Sequence, residues 1–282
     1  MRALLGARKP VIWSGMGTTP PGRRSCANSP RTTQIPVYCT MPGKSGFDET
    51  APPGARLRQR HDDAPRLPLA SKSDVLFAVG SNLTRTSYGQ PIPDGKTIIH
   101  NTESIEDISK DYSRPPSACP ATKLALHAIL DEVKGQIGEQ PRQNDVAAQI
   151  SDLRQQWLAE WTPFLTADDT PIQTYRVVGE DSSGRSARAH HHSPTTCGAP
   201  RDVAMPFYRA SVPHNCIGKT TTSASASADD RREAGPAGRI LPQFHGRQCL
   251  RHAPRPRYRD LRAHRRADHP TIVLSNGDMA AY

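Results

Sequence analysis

Core-building residues are scarce in this chain. Hydrophobic residues occupy 35% of its 282 positions and aromatics only 5%, while prolines number 27. Soluble domains ordinarily run to roughly 45–50% apolar. The shortage excludes a compact core along the whole length and leaves enough apolar surface to fold part of it. No apolar run approaches the ~20 residues that a bilayer span needs, so no membrane partner is expected. An apolar signal-peptide core is also missing, because Met1 to Ser14 reads as a short helix end followed by a strand. Six cysteines (Cys26, Cys39, Cys119, Cys197, Cys216 and Cys249) lie far apart with no C-x-x-C pair. That spacing argues against a disulfide framework or a zinc site and points to reduced thiols and a cytoplasmic location.

The formal net charge is +10, and its placement matters more than its size. Arg231 to His269 holds eleven arginines, no lysine and three acids, and eleven minus three is +8 of that total. The excess is therefore one run, which is usually a solvated tail. It has a single interleaved tyrosine, Tyr258, and no DNA- or RNA-binding motif, which weighs against nucleic acid as a specific partner.

Two kinds of text alternate along the chain. The first is ordinary. Lys9-Pro-Val-Ile-Trp-Ser-Gly-Met-Gly17 reads as a buried strand running into a glycine turn. Gln34-Ile-Pro-Val-Tyr-Cys-Thr40 is a second strand, followed by the turn-rich Met41-Pro-Gly-Lys-Ser-Gly46. Ser73-Asp-Val-Leu-Phe-Ala-Val-Gly80 and Lys96-Thr-Ile-Ile-His100 are a third and a fourth. Short apolar runs ending in glycine or polar loops are what a parallel sheet covered on both faces requires. Helical periodicity follows over Ala121 to Lys134, with Gly135 as its stop, and over Asp145 to Trp161, ended by Thr162-Pro163. The second kind covers Thr18 to Arg31, Ala51 to Ala70, Asp181 to Cys197 and Ser223 to His269. These stretches hold 20 of the 29 arginines and show neither helical nor strand periodicity, so they read as loops or disorder. The first two occupy the slots where a parallel sheet needs crossover helices.

The ordinary segments resemble, in order, the central domain of the acetolactate synthase and thiamine-diphosphate decarboxylase superfamily. Lys9 to Gly17 is similar to its opening strand and glycine turn. Ile35 to Glu49 is similar to its second strand and G-K-G-x-F-P-E loop, and Ser73 to Thr84 to its "aspartate, apolar strand, glycine" segment. Lys96 to Lys110 resembles "I-I-H-I-D-I-D-P-x-E-I-G-K". The resemblance implies an α/β fold, a parallel sheet with flanking helices at 1–140. A helical linker at 141–180 would follow, and then an incomplete second α/β domain at 181–282, largely irregular at 181–197 and 223–269. It also implies a homo-oligomer that uses thiamine diphosphate and Mg²⁺ to cleave or form a bond beside the carbonyl of a small-molecule 2-oxo acid.

The resemblance also implies a set of site residues. Gly198, Thr220, Thr221, Thr222 and Gly277 fall where relatives line the cofactor. Asn276 matches the metal-ligand asparagine and Asp278 the residue whose carbonyl joins it, in a motif of G-D-G, about thirty residues and N-N. Counting back from Asn276, the G-D pair falls on Gly246-Arg247, and arginine cannot ligate Mg²⁺. The family's N-terminal domain, which carries the glutamate that activates the cofactor, has no counterpart in this text, so the chain alone is expected to be inactive. Some relatives hold FAD or ADP on the central domain; the two acidic positions of "I-D-I-D-P" are Thr102 and Ser104 here, which counts against either.

Other residues invite chemistry and have plainer readings. Gly218-Lys-Thr220 resembles the tail of a phosphate loop, but the required earlier glycine is Pro213. His190-His-His192 with Cys197 lacks a fourth zinc ligand. Trp157 and Trp161, one helical turn apart, read as core packing between two domains. Glu103, Glu106 and Asp111 form an acidic patch near His100 that reads as a solvated loop. The alternative reading of the whole chain is a non-catalytic nucleotide-binding module or a basic, nucleic-acid-associated protein.

Family-like text resumes on both sides of each arginine-rich stretch at nearly the correct spacing. Out-of-frame translation of a GC-rich gene, flanked by compensating insertions or deletions, would leave this pattern. The coding DNA checks it. Read in the other frames, these stretches are expected to yield helix-like text and a G-D-x motif upstream of Asn276; their absence would end the idea.

Overall fold

A computed structural model of the chain describes residues 2–18, 33–40, 42–44, 46–49, 68–85, 91–112, 117–120, 123–138, 144–182, 207, 239–240, 243–246, 267–268 and 271–274. These fall into two compact units, 1–156 and 157–282. The first contains a short helix α1 (Arg2–Leu5), strands β1 (Pro10–Ser14) and β2 (Val37–Cys39), and helix α2 (Pro68–Ser71). Strands β3 (Val75–Val79), β4 (Thr97–Thr102) and β5 (Ser117–Pro120) follow, and then helix α3 (Lys123–Ile137). All five strands form one parallel sheet in the order β2-β1-β3-β4-β5. The expected α/β class, a parallel sheet with flanking helices, is what the chain adopts.

Strands β1 and β3 are apolar at nearly every position because both faces are covered. Val11, Trp13, Tyr38, Leu76, Ala78 and Ile98 point to one side and pack with Ala70, Leu83 and Ile92. Ile12, Val37, Val75, Phe77 and Val79 point to the other and pack with Leu4, Ile35 and Phe47. The alternation follows from the two-residue period of a strand. Each large side chain buried in this way stabilises the fold by roughly 2 kcal/mol. Burial also pushes the Tyr38 phenol upward, partly offset by the Ala70 backbone, so the ring stays neutral within this core.

At the amino ends, charged side chains set the strands in line. The Asp74 carboxylate accepts the Arg8 and Lys9 backbone N–H groups at 2.8 and 2.9 Å, fixing where β1 enters beside β3. Burial pushes this carboxyl up, but the backbone donors of Lys9, Arg8, Asp74 and Val75 outweigh it and hold it below the usual carboxylate range. Lys96 donates to the Ser71 and Ser73 carbonyls at 2.8 and 2.7 Å, closing the end of α2.

Two helix boundaries differ from expectation. α3 runs through Gly135 and ends at Gly138, which takes the left-handed conformation (φ +77) and donates to the Lys134 carbonyl at 2.8 Å. The later glycine ends the helix because it is the one that adopts the capping dihedral. Helix α4 (Val146–Leu165) continues past Pro163. The Thr162 and Thr166 hydroxyls donate to the Leu158 and Thr162 carbonyls at 2.7 and 2.8 Å, bracketing the place where proline removes a donor. Asn144 starts α4, accepting the Val146 N–H at 3.2 Å.

In the second unit, Trp157 stacks on Phe207 at 4.8 Å and Trp161 meets Tyr175 at 4.9 Å. Val178 on helix α5 (Thr174–Ser182), Leu165 and Ile272 complete this core. The tryptophans are therefore core residues of that unit. Four short strands, β6 (Arg239–Ile240), β7 (Gln243–Gly246), β8 (Ala267–Asp268) and β9 (Thr271–Leu274), pair as β6 with β8 and β7 with β9, both parallel. Three of them lie within the arginine-rich text of 223–269. Among the described residues no helix is long and apolar enough to cross a membrane.

Candidate functional site

Strand order reverses between β1 and β3: the chain leaves β1 for β2 on one side and returns to β3 on the other. In open parallel sheets, ligands bind outside the carboxyl ends of the strands at such a switch point. Three loops meet there, in their described residues: 15–18 after β1, 40, 42–44 and 46–49 after β2, and 80–85 after β3.

Close backbone contact dominates this edge. A Cβ added to Gly15 would strike the Gly80 carbonyl, and one on Gly17 would lie 2.7 Å from the Gly80 Cα. One on Gly43 would lie 2.5 Å from the Ser14 carbonyl oxygen. Gly80 adds a left-handed φ of +59 that other residues rarely adopt. Side chains then tie the loops down. The Ser14 and Thr18 hydroxyls bond at 2.8 Å, and Thr18 donates to the Gly15 carbonyl at 2.7 Å. His100, 1% exposed on β4, donates from Nε2 to the Ser81 carbonyl at 2.7 Å.

The loop after β2 buries a charge pair, Lys44 Nζ to Glu49 Oε2 at 2.7 Å. In sequence the G-K-S-G-F-D-E text shows turns and a family likeness, while the pairing of its lysine with its glutamate is visible only in the fold. Phe47, between the two charges in sequence, belongs to the core, and both charges are buried beside it. Past β4, Thr102 donates to Asp107 at 2.9 Å and Ser104 caps the turn Ile105–Asp107 through the Glu106 N–H. Of the acidic patch, Glu103 and Glu106 are exposed, as expected of a solvated loop. Asp111 departs from it: it accepts the Arg85 N–H at 2.9 Å, while the Arg85 guanidinium lies over the Tyr112 ring at 4.7 Å.

A cavity of about 740 Å³ opens at the opposite, amino-end edge. Arg8, Lys9 and Lys72 line it together with Asp145 and Asp152. Its charges nearly balance, and among the described residues no group of three metal-ligating side chains forms.

Every residue assigned from sequence to the cofactor or metal (Gly198, Thr220, Thr221, Thr222, Asn276, Gly277 and Asp278) lies outside the described residues. So do His190 to His192, Cys197, Gly218 to Thr220 as a phosphate loop, and Arg247. What is described is the pair of strands leading to the two half-motifs. β7 and β9 run parallel with Gly246 opposite Leu274. Arg247 is the residue after the first strand ends, and Asn276 is the second residue after the other.

Comparison with known proteins gives the edge a context. Residues 1–129 match the family "Thiamine pyrophosphate enzyme, central domain". The chain is also 23% identical over 190 residues to a probable acetolactate synthase large subunit of Methanococcus aeolicus, covering 64% of this chain and 31% of that protein. The chain thus spans about a third of that relative's length.

The buried pair yields a prediction. Lys44→Met alone leaves Glu49 charged and buried and is expected to cost roughly 3–5 kcal/mol in urea unfolding. Lys44→Met with Glu49→Leu should recover most of that loss. A single variant no less stable than the double would show that the pair is not desolvated as described.

Proposed function

We infer, for a chain whose first 129 residues belong to the thiamine pyrophosphate enzyme family as its central domain, a place in an acetolactate synthase-like system acting on 2-oxo acids. When bound, thiamine diphosphate supplies the covalent chemistry at the 2-oxo acid carbonyl, and the protein binds and orients it. In this reading residues 1–140 are the architectural domain, 141–180 the helical connection and 181–282 the cofactor-binding part, in a self-associating protein of the cytoplasm. Gly198, Thr220, Thr221, Thr222 and Gly277 would face the cofactor, with Asn276 and Asp278 toward the metal.

The observation that carries the cofactor half is the parallel pairing of β7 with β9. Two strands in that register end side by side, as the two halves of a divided metal motif require. The donor set following them does not fit Mg²⁺. A hard cation needs oxygen ligands, and Arg247 offers five N–H donors and a fixed positive charge where the motif has aspartate. No catalytic step is therefore assigned to the metal, and this chain on its own does not turn over a 2-oxo acid.

Calorimetry of the full chain with thiamine diphosphate and Mg²⁺ tests both halves. The unaltered chain is expected to give no saturable heat with Mg²⁺ and no pyruvate consumption above a buffer blank. Arg247→Asp is expected to gain Mg²⁺-dependent binding of thiamine diphosphate. Turnover by the unaltered chain would contradict the inactivity, and an Arg247→Asp variant that stays silent would contradict the placement of the motif.

A further inference from the structure

We propose that the glycine loops after β1, β2 and β3 form a self-satisfied packing seam, and that this seam, rather than the missing acids after β4, keeps an adenine dinucleotide out of the switch-point crevice. Some central domains of this kind hold FAD or ADP, so the fit can be judged on this chain's own atoms. A pyrophosphate at a strand-end glycine turn needs two things: backbone N–H groups aimed outward, and glycines that let the ligand approach the backbone.

Among the described residues of these loops, the amides and glycines at the strand ends are taken up within the protein. The Gly15 N–H donates to Val79 at 2.8 Å, Gly17 to Gly80 at 2.8 Å, and Gly80 to Asn101 at 2.8 Å. Thr18 donates to Gly15 at 3.1 Å, Gly43 to Thr40 at 3.0 Å, and Gly46 to Gly43 at 3.0 Å. Six amides of the three loops are thus satisfied by protein carbonyls, and a phosphate would have to displace bonds that are already made. The open side of the glycines is equally taken. The room left by the absent Cβ atoms of Gly15 and Gly17 is filled by Gly80, and that of Gly43 by Ser14 and Gly15. Lys44, the cation of the loop after β2, is buried and paired with Glu49. After β4, Thr102 donates to Asp107 at 2.9 Å, so this hydroxyl too is engaged within the protein. Glycine is required at this edge because backbone meets backbone.

Calorimetry and thermal unfolding of the full chain test the seam, with FAD and ADP as the probes. The unaltered chain should melt cooperatively, show no saturable heat with either, and keep its Tm in their presence. Thr102→Asp with Ser104→Asp restores the acids and should still bind neither. Gly15→Ala and Gly80→Ala should each lower Tm by roughly 10 °C or abolish the transition. Saturable FAD or ADP binding by the unaltered chain would overturn the proposal. So would binding gained by the double variant, which would make the acids the obstacle, and so would Gly15→Ala or Gly80→Ala with an unchanged Tm. A chain with no cooperative melt at all would overturn it too, because a seam packed this tightly cannot exist without one.

Discussion

Where β1 and β3 end, two backbones come within van der Waals distance with nothing between them. Gly15 and Gly17 on one side and Gly80 on the other lack the Cβ atoms that would hold the strands apart. Several other features depend on this contact. It lets the Gly15 and Gly17 N–H groups reach the Val79 and Gly80 carbonyls, carrying the β1–β3 pairing past the ends of both strands. The β2 loop then docks, with the Thr40 N–H on the Ser14 carbonyl and Gly43 against Gly15. With that loop in place Phe47 enters the core and the Lys44–Glu49 pair is enclosed. From β4, His100 reaches the Ser81 carbonyl of the loop that Gly80 begins.

The opposite edge is built by different means. Asp74 and Lys96 align the strand entrances through charge-assisted bonds to backbone groups, in a setting open enough for the neighbouring cavity. Backbone contact closes one end of the sheet and charged side chains set the register at the other. Apolar residues on both faces supply most of the stability between them.

Much of this was legible in the sequence. Val75 to Val79, ending at Gly80, and Pro10 to Trp13, followed by Ser14 and Gly15, are unbroken apolar runs, and a strand buried on both faces leaves that trace. The Asp74 that precedes β3 was legible as part of a motif but not as a clamp, because its partners are backbone groups 65 and 66 residues away. Gly135 looked like a helix stop because sequence shows where a glycine is and not which dihedral it takes; Gly138 takes the capping one. Pro163 looked like a terminator, and the neighbouring threonine hydroxyls that bond within the helix are a local detail that periodicity does not carry. β5 is four residues of Ser, Ala, Cys and Pro, with no apolar pattern to find. The parallel partnership of β7 and β9 joins segments separated by text without periodicity, so only the fold reveals it. The residues named for the cofactor and metal lie beyond what the fold describes.

Amide hydrogen exchange on the full chain tests the central claim, that the glycine seam closes the carboxyl edge of this sheet. If it does, the Gly15, Gly17 and Gly80 amides exchange as slowly as those of Leu76 and Phe77 in the middle of β3, because all open only when the sheet does. FAD or ADP then adds no protection. Glycine amides that exchange at the rate of an exposed loop while β3 stays protected, or that slow when a dinucleotide is added, would contradict the account.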